Sequence, residues 1–177
     1  MKKIFLCLFT LLCLCFSNAF ANDITSENLR EECRIGPIGV TDGFDMGQLN
    51  KLFGHLTKPA HQHQMGVDHS LHVMNLTFTD ACVTVLNDTI ASLSVKKSRA
   101  NTGEALGTPR GIVVGHDLDT VLRLYGQPSK VSHFPAGRRL DHDVDLYSYG
   151  TPSYGLSFTI NSATNLVETI AIYVPTC

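Results

Sequence analysis

The stretch GPIGVTDGFDMGQLNKLFGHLTKPAH (36–61) lies without a gap over TPRGIVVGHDLDTVLRLYGQPSKVSH (108–133), at a constant offset of 72. Pro37 meets Pro109, Gly39 meets Gly111, Gly43 meets Gly115 and Asp45 meets Asp117. Further along, Leu52 meets Leu124, Gly54 meets Gly126, Lys58 meets Lys130 and His61 meets His133. Turn formers, caps and apolar residues recur together, which is how a duplicated unit reads. The correspondence resumes at VDHSLHV (67–73) over LDHDVDL (140–146), VTV (83–85) over FTI (158–160) and IASLSV (90–95) over VETIAI (167–172).

Each copy opens with a helix signal. Asp45 with Gln48 has the spacing of a capping box, and Asp117 is the matching N-cap. Met46, Leu49 and Phe53 fall on one helical face, as do Leu118, Val121, Leu122 and Tyr125. Gly54 and Gly126 stand where a helix ends. After each helix the apolar period changes to two. Strands are predicted near 57–64, 67–78, 81–87 and 90–97, then near 128–134, 142–149, 154–161 and 166–174. Asn87-Asp88 and residues 162–165 read as hairpin turns. The fold class expected is α+β: two tandem repeats, each a short helix packed on an antiparallel meander of about four strands. The division is a signal peptide over 1–21, a helical segment over 22–35 with its helix near 24–33, repeat units over 36–97 and 108–177, and a polar linker over 98–107. The second face of the sheet is left to solvent or a partner.

Lys2 and Lys3, the run Ile4 to Phe16 and Ala19-Phe20-Ala21 form the three parts of an export signal cleaved after Ala21. The apolar run is shorter than the ~20 residues of a membrane span. Leu12 and Leu14 precede Cys13 and Cys15, where a lipid-modified cysteine would follow a small residue. A periplasmic or secreted protein without a membrane anchor is therefore expected. Without Lys2 and Lys3 the chain carries 12 basic and 16 acidic residues. No basic patch stands out, which excludes nucleic acid as the expected partner. Cys33, Cys82 and Cys177 remain after the signal, allowing one disulfide and one free thiol. Cys33 with Cys82 is favoured, because Cys177 lies at an end prone to fraying; the other pairings stay open.

The pattern Gly-Ile-x-x-Gly-x-x-x-x-x-Val-Leu-x-x-Tyr-Gly-x-Pro at Gly111 to Pro128, followed by short strands, resembles the β-lactamase-inhibitor-protein-like superfamily. That fold is shared with the small outer-membrane assembly lipoproteins of the SmpA/OmlA group. The tandem arrangement is closer to the inhibitor protein, itself a duplicated helix-plus-sheet unit. The resemblance implies an exported, non-enzymatic protein that binds another macromolecule across a sheet face or loops. Two departures stand out. The lipidated cysteine is missing, and each unit holds a single cysteine, Cys82 or Cys177, where inhibitor-like proteins have a disulfide.

HQHQMGVDHSLH (61–72) concentrates four of the eight histidines. With Met65-Gly66 as a two-residue turn, His63 faces Asp68, His61 faces Ser70 and His72 faces Pro59. His61, His63, Asp68 and His72 then share one face, a nitrogen-rich set suited to zinc or copper(II). His69 points the other way, with Val67, Leu71 and Val73, as a half-buried histidine. Asp141, Asp143 and Asp145 alternate along a strand, reading as a solvated edge with loose calcium binding as the weaker alternative. No Gly-x-Ser-x-Gly elbow, phosphate loop or Cys-x-x-Cys pair is found. The leading expectation is a non-enzymatic binding protein with a protein partner in the cell envelope and no cofactor. The runner-up is a periplasmic copper or zinc binder using 61–72, and a hydrolase with unidentified residues is third.

Overall fold

The computed structural model describes residues 28–65, 71–137 and 140–175. Among these, helix α1 (Leu29–Glu32) leads into a small ribbon of β1 (Arg34–Ile35) and β2 (Ile38–Gly39). Helix α2 (Met46–Phe53) is followed by β3 (His61–Met65), β4 (Leu71–Thr77), β5 (Ala81–Leu86) and β6 (Thr89–Val95). Helix α3 (Leu118–Tyr125) is followed by β7 (Lys130–Phe134), β8 (Val144–Gly150), β9 (Gly155–Asn161) and β10 (Val167–Tyr173). The eight strands from β3 onward form one sheet in the order β3-β4-β5-β6-β10-β9-β8-β7, with every pairing antiparallel. The two meanders meet where β6 pairs with β10, Leu93 opposite Ile172 and Val95 opposite Ile170.

Both helices begin at the expected caps. Asp45 Oδ1 accepts from Gly47 N at 2.8 Å and Gln48 N at 3.3 Å, and Asp117 Oδ1 accepts from Thr120 N at 2.7 Å. Each satisfies amide donors that the first helical turn leaves orphaned. That bonding also holds the Asp117 carboxyl below its usual range. Both helices stop at a glycine in the left-handed region, Gly54 at φ 85° and Gly126 at φ 72°. The β5–β6 hairpin turns through Asn87 and Asp88, both at positive φ, as a tight hairpin turn requires.

Strand alternation sorts the side chains. Leu76, Val83, Val85, Leu93, Ile170, Ile172, Phe158 and Leu156 point to the face that α2 and α3 cover, and all are buried. Burying each such side chain contributes about 1.5–3 kcal/mol. Under α3, Tyr125, Tyr149 and Phe158 have ring centres 5.3 to 5.9 Å apart, a geometry that adds about 0.5–1.5 kcal/mol per pair. Tyr149 Oη also donates to Gly126 O at 3.0 Å, fixing the end of α3 to β8. Leu29, Cys33 and Ile35 reach the same core.

The joining segment 98–107 packs on the core: Ala100 and Leu106 are buried, and Asn101 N donates to Leu52 O at 2.8 Å. Two expectations change here. Cys33 and Cys82 do not pair; both are free. Cys33 is buried beneath β9, with its Sγ donating to Gly155 O at 3.3 Å, while alternation along β5 turns Cys82 to the opposite, exposed side of the sheet. A bond between them would require backbone movement. The hairpin register also differs, with consequences for the histidines.

Candidate functional site

Observed cross-strand partners are His61 and Asn75, His63 and Val73, Gln64 and His72, and Met65 and Leu71. Met65 is therefore a strand residue and not a turn residue, and the connection spans 66–70. Two-residue hairpin turns favour Asn, Asp or Gly at positions with φ > 0, and Met65 is none of these. The shift of register alters which residues share a face. His61 and His63 remain together on the face away from the helices. His72 is on the other face with Gln62, Gln64 and Met74, so the expected set of His61, His63, Asp68 and His72 does not assemble on one side. Asp68, Ser70 and the expected half-buried His69 lie outside the described residues.

The His61 and His63 rings are 5.4 Å apart, centre to centre. Nδ1 of His63 is buried without a hydrogen-bond partner among the described residues. Among those residues no group of three histidine, cysteine, aspartate or glutamate side chains could hold a metal ion. His72 and His63 both border a groove of about 620 Å³, lined also by Gln62, Gln64, Val73, Met74, Val85, Asn87 and Asp88. The His72 backbone N donates to Asn87 Oδ1 at 2.9 Å.

At the opposite edge of the sheet lies a cluster that the sequence concealed. His133 on β7 pairs with Asp145 on β8, Nδ1 to Oδ1 at 2.8 Å, and its Nε2 is 3.9 Å from Asp143 Oδ2. Ser162 Oγ donates to Asp145 Oδ2 at 2.8 Å. These bonds, the histidine's first, hold the Asp145 carboxyl below its ordinary range. An ionised carboxylate only accepts, so Nδ1 of His133 carries a proton and donates to Asp145. The serine donates to the aspartate and not to His133 Nε2, so the order of a nucleophile, base and carboxylate is not reproduced. The regular alternation of Asp141, Asp143 and Asp145 suggested a single edge. Instead β8 begins at Val144, which frees Asp143 to bend toward His133. Asp143 Oδ1 also accepts from Ala136 N at 2.7 Å. The available signal was that His133 and Asp145 occupy facing strands of a predicted hairpin.

His142 forms a second pair, Nε2 to Glu168 Oε2 at 2.9 Å, and Asn161 Nδ2 donates to Glu168 Oε1 at 2.9 Å. Burial works against the charged Glu168 carboxyl, but the bonds from Asn161 and His142 hold it below its usual range.

The largest feature is the open face of the sheet. From β4 across to β8 it presents Asn75, Thr77, Cys82, Thr84, Ser92, Ser94, Ala171, Tyr173, Thr159, Leu146 and Ser148, with Ser157 buried among them. None of these is an acid or a base. Glu168 stands at the bulge where β10 begins, and His61, His63 and Lys130 occupy the outer strands. Tyr173 lies flat over its partner Gly155: a Cβ on Gly155 would sit 2.3 Å from Tyr173 Cζ. That close approach requires glycine there and lays an aromatic plate on the face.

No protein-family model matches the chain, and no curated protein does. In structure the chain is similar to a DUF4309 family protein from Bacillus subtilis, at 13% identity and TM-score 0.39, over 78% of this chain and 80% of that one. It is similar to a cysteine-rich secretory protein from Staphylococcus aureus, at 12% identity and TM-score 0.46, over 82% and 49%. It is also similar to an extracellular protein containing an SCP domain from Bacillus anthracis, at 9% identity and TM-score 0.38, over 86% and 46%. The chain spans about half the length of the latter two. Among the described residues no helix is long and apolar enough to cross a membrane.

Proposed function

We propose that this is an exported, non-enzymatic binding protein that docks a protein partner on the open face of its eight-stranded sheet, and that its two helix-plus-meander halves are copies of one unit. The observation that carries the reading is that face. A stable docking surface needs a core depleted of charge, with hydrogen-bonding groups and an aromatic anchor. Tyr173 supplies the aromatic anchor, and the serine, threonine and asparagine side chains across the face supply hydrogen-bonding groups without charge. The size also suits. The six strands from β4 to β8, about 4.8 Å apart and six or seven residues long at about 3.3 Å each, give roughly 24 Å by 20 Å, a core to which the outer strands add toward the ~800 Å² each partner buries in a standard interface. The resemblance to inhibitor-like proteins supports the same mode, as does the predicted export signal.

The test is capture from cell-envelope extract with the exported protein and with Ser94→Arg and Thr159→Arg, two charges placed on the face. A partner held by the parent and lost by both variants, at unchanged thermal midpoint, supports the reading. A partner held equally by all three, or none recovered, overturns it.

A second reading, metal binding, is favoured by the spacing of His61 and His63 and by the unpartnered His63 Nδ1. These two imidazoles would hold zinc or copper(II), with Asp68 and His72 no longer required. Zinc affinity weaker than about millimolar, or unchanged in His61→Ala with His63→Ala, removes it.

A further inference from the structure

We infer that His61 and His63 are half of a metal site completed by a second copy of this chain, two β3 strands pairing antiparallel so that four imidazoles hold one divalent ion of the zinc class. The inference rests on the metal reading above and adds the source of the missing ligands.

Ligand geometry is the first support. Two imidazoles on one tetrahedral zinc, with Zn–N about 2.0–2.1 Å, hold their ring centres roughly 5 Å apart. The His61 and His63 centres are 5.4 Å apart, so the pair spans one ion without moving the strand. A closed tetrahedral site takes four ligands. No third candidate joins these two among the described residues, and His72 faces away.

Position is the second support. Among the described residues β3 is an outermost strand, bonded to β4 on one side only. Its free edge carries backbone donors and acceptors that template another strand. Edges are usually guarded by lysine or proline. On the opposite edge strand, β7, Lys130 lies within the strand, whereas its equivalent Lys58, with Pro59, falls before β3, whose own residues read HQHQM.

Register supplies the third. When two β3 strands pair antiparallel about Gln62, His61 of each copy faces His63 of the other. Facing residues share a side of the sheet, with Cβ atoms about 4.5–5.5 Å apart. All four rings then rise from the open face.

The test titrates zinc chloride into the exported protein, following heat and sedimentation together. The expected result is half an equivalent of zinc per chain and a monomer-to-dimer shift that EDTA reverses. His61→Ala and His63→Ala should each abolish both. Gln62→Lys, which keeps the histidines but sets like charges opposite one another at the two-fold, should weaken the dimer several-fold; an unchanged dimer overturns the register. One equivalent of zinc on a monomer overturns the shared site and leaves the metal reading standing. No uptake at millimolar zinc overturns both. A dimer that persists in EDTA and in His61→Ala overturns the shared site.

Discussion

At the scale of single residues, environment separates side chains of the same type. Cys33 and Cys82 are both thiols, but burial, followed by the charge of Glu32, pushes Cys33 up to about 12, whereas Cys82 is exposed. A thiol reagent at neutral pH should therefore label Cys82 in the folded protein and reach Cys33 only after denaturation, as peptide mass mapping would show; equal labelling of both in the native state contradicts the burial. Asp145 is set apart by His133 and Ser162. Its folded pKa lies below the unfolded carboxylate value of about 3.9, so its stabilisation is present above that value and lost as pH falls through the folded one. A carbon-detected titration should place its midpoint below the ordinary carboxylate value, and His133→Ala should move it upward. The sequence displayed these residues but not their partners, because the His133–Asp145 contact depends on which positions of two strands face each other.

Elements were the most legible scale. Asp45 and Asp117, Gly54 and Gly126, and the change of period after each helix announce themselves locally, because capping and left-handed turns need nothing beyond a few neighbouring residues. Asp45→Ala and Asp117→Ala should each cost about 1 kcal/mol in denaturant unfolding, with Asn replacing either at much smaller cost. Hairpin register was less legible. A two-residue turn at Met65-Gly66 and the observed pairing of Met65 with Leu71 use the same sequence, and only closure onto β5 selects between them. Leu76 and Met74 must face Val83 and Val85 on the core side, which fixes the parity of β4 and hence that of β3. His72 follows its strand to the helix side for this reason, against any preference of its own.

The whole molecule is held across long sequence separations. Arg110 Nε donates to Glu32 Oε1 at 2.8 Å, Tyr125 Oη donates to Glu32 Oε2 at 3.0 Å, and the Arg110 guanidinium lies 4.9 Å from the Tyr125 ring centre. This ties α1 to α3, with the charged side chains 16% and 13% exposed. Arg110→Ala would strand Glu32 in that setting, at a cost of about 3 kcal/mol. The thermal midpoint should fall by roughly 6–12 °C, and Glu32→Gln should fall less, since Gln still accepts from Tyr125. Retention of the parent midpoint in Arg110→Ala would show that the tie is ornamental.

By itself the sequence determined the α+β class, both long helices with their caps and stops, and most of the strands, because these follow from local conformational preference and from periodicity. It also determined that the helices would cover one sheet face, since each meander supplies only one apolar side. Only the tertiary structure decided that the two meanders fuse through β6 and β10 into one sheet, that Cys33 and Cys82 stand on opposite sides of it, and that His61 and His63 part from His72. Those outcomes depend on which strands meet and in what register. The registers are set by burying the most apolar surface at once, and no single segment contains that information.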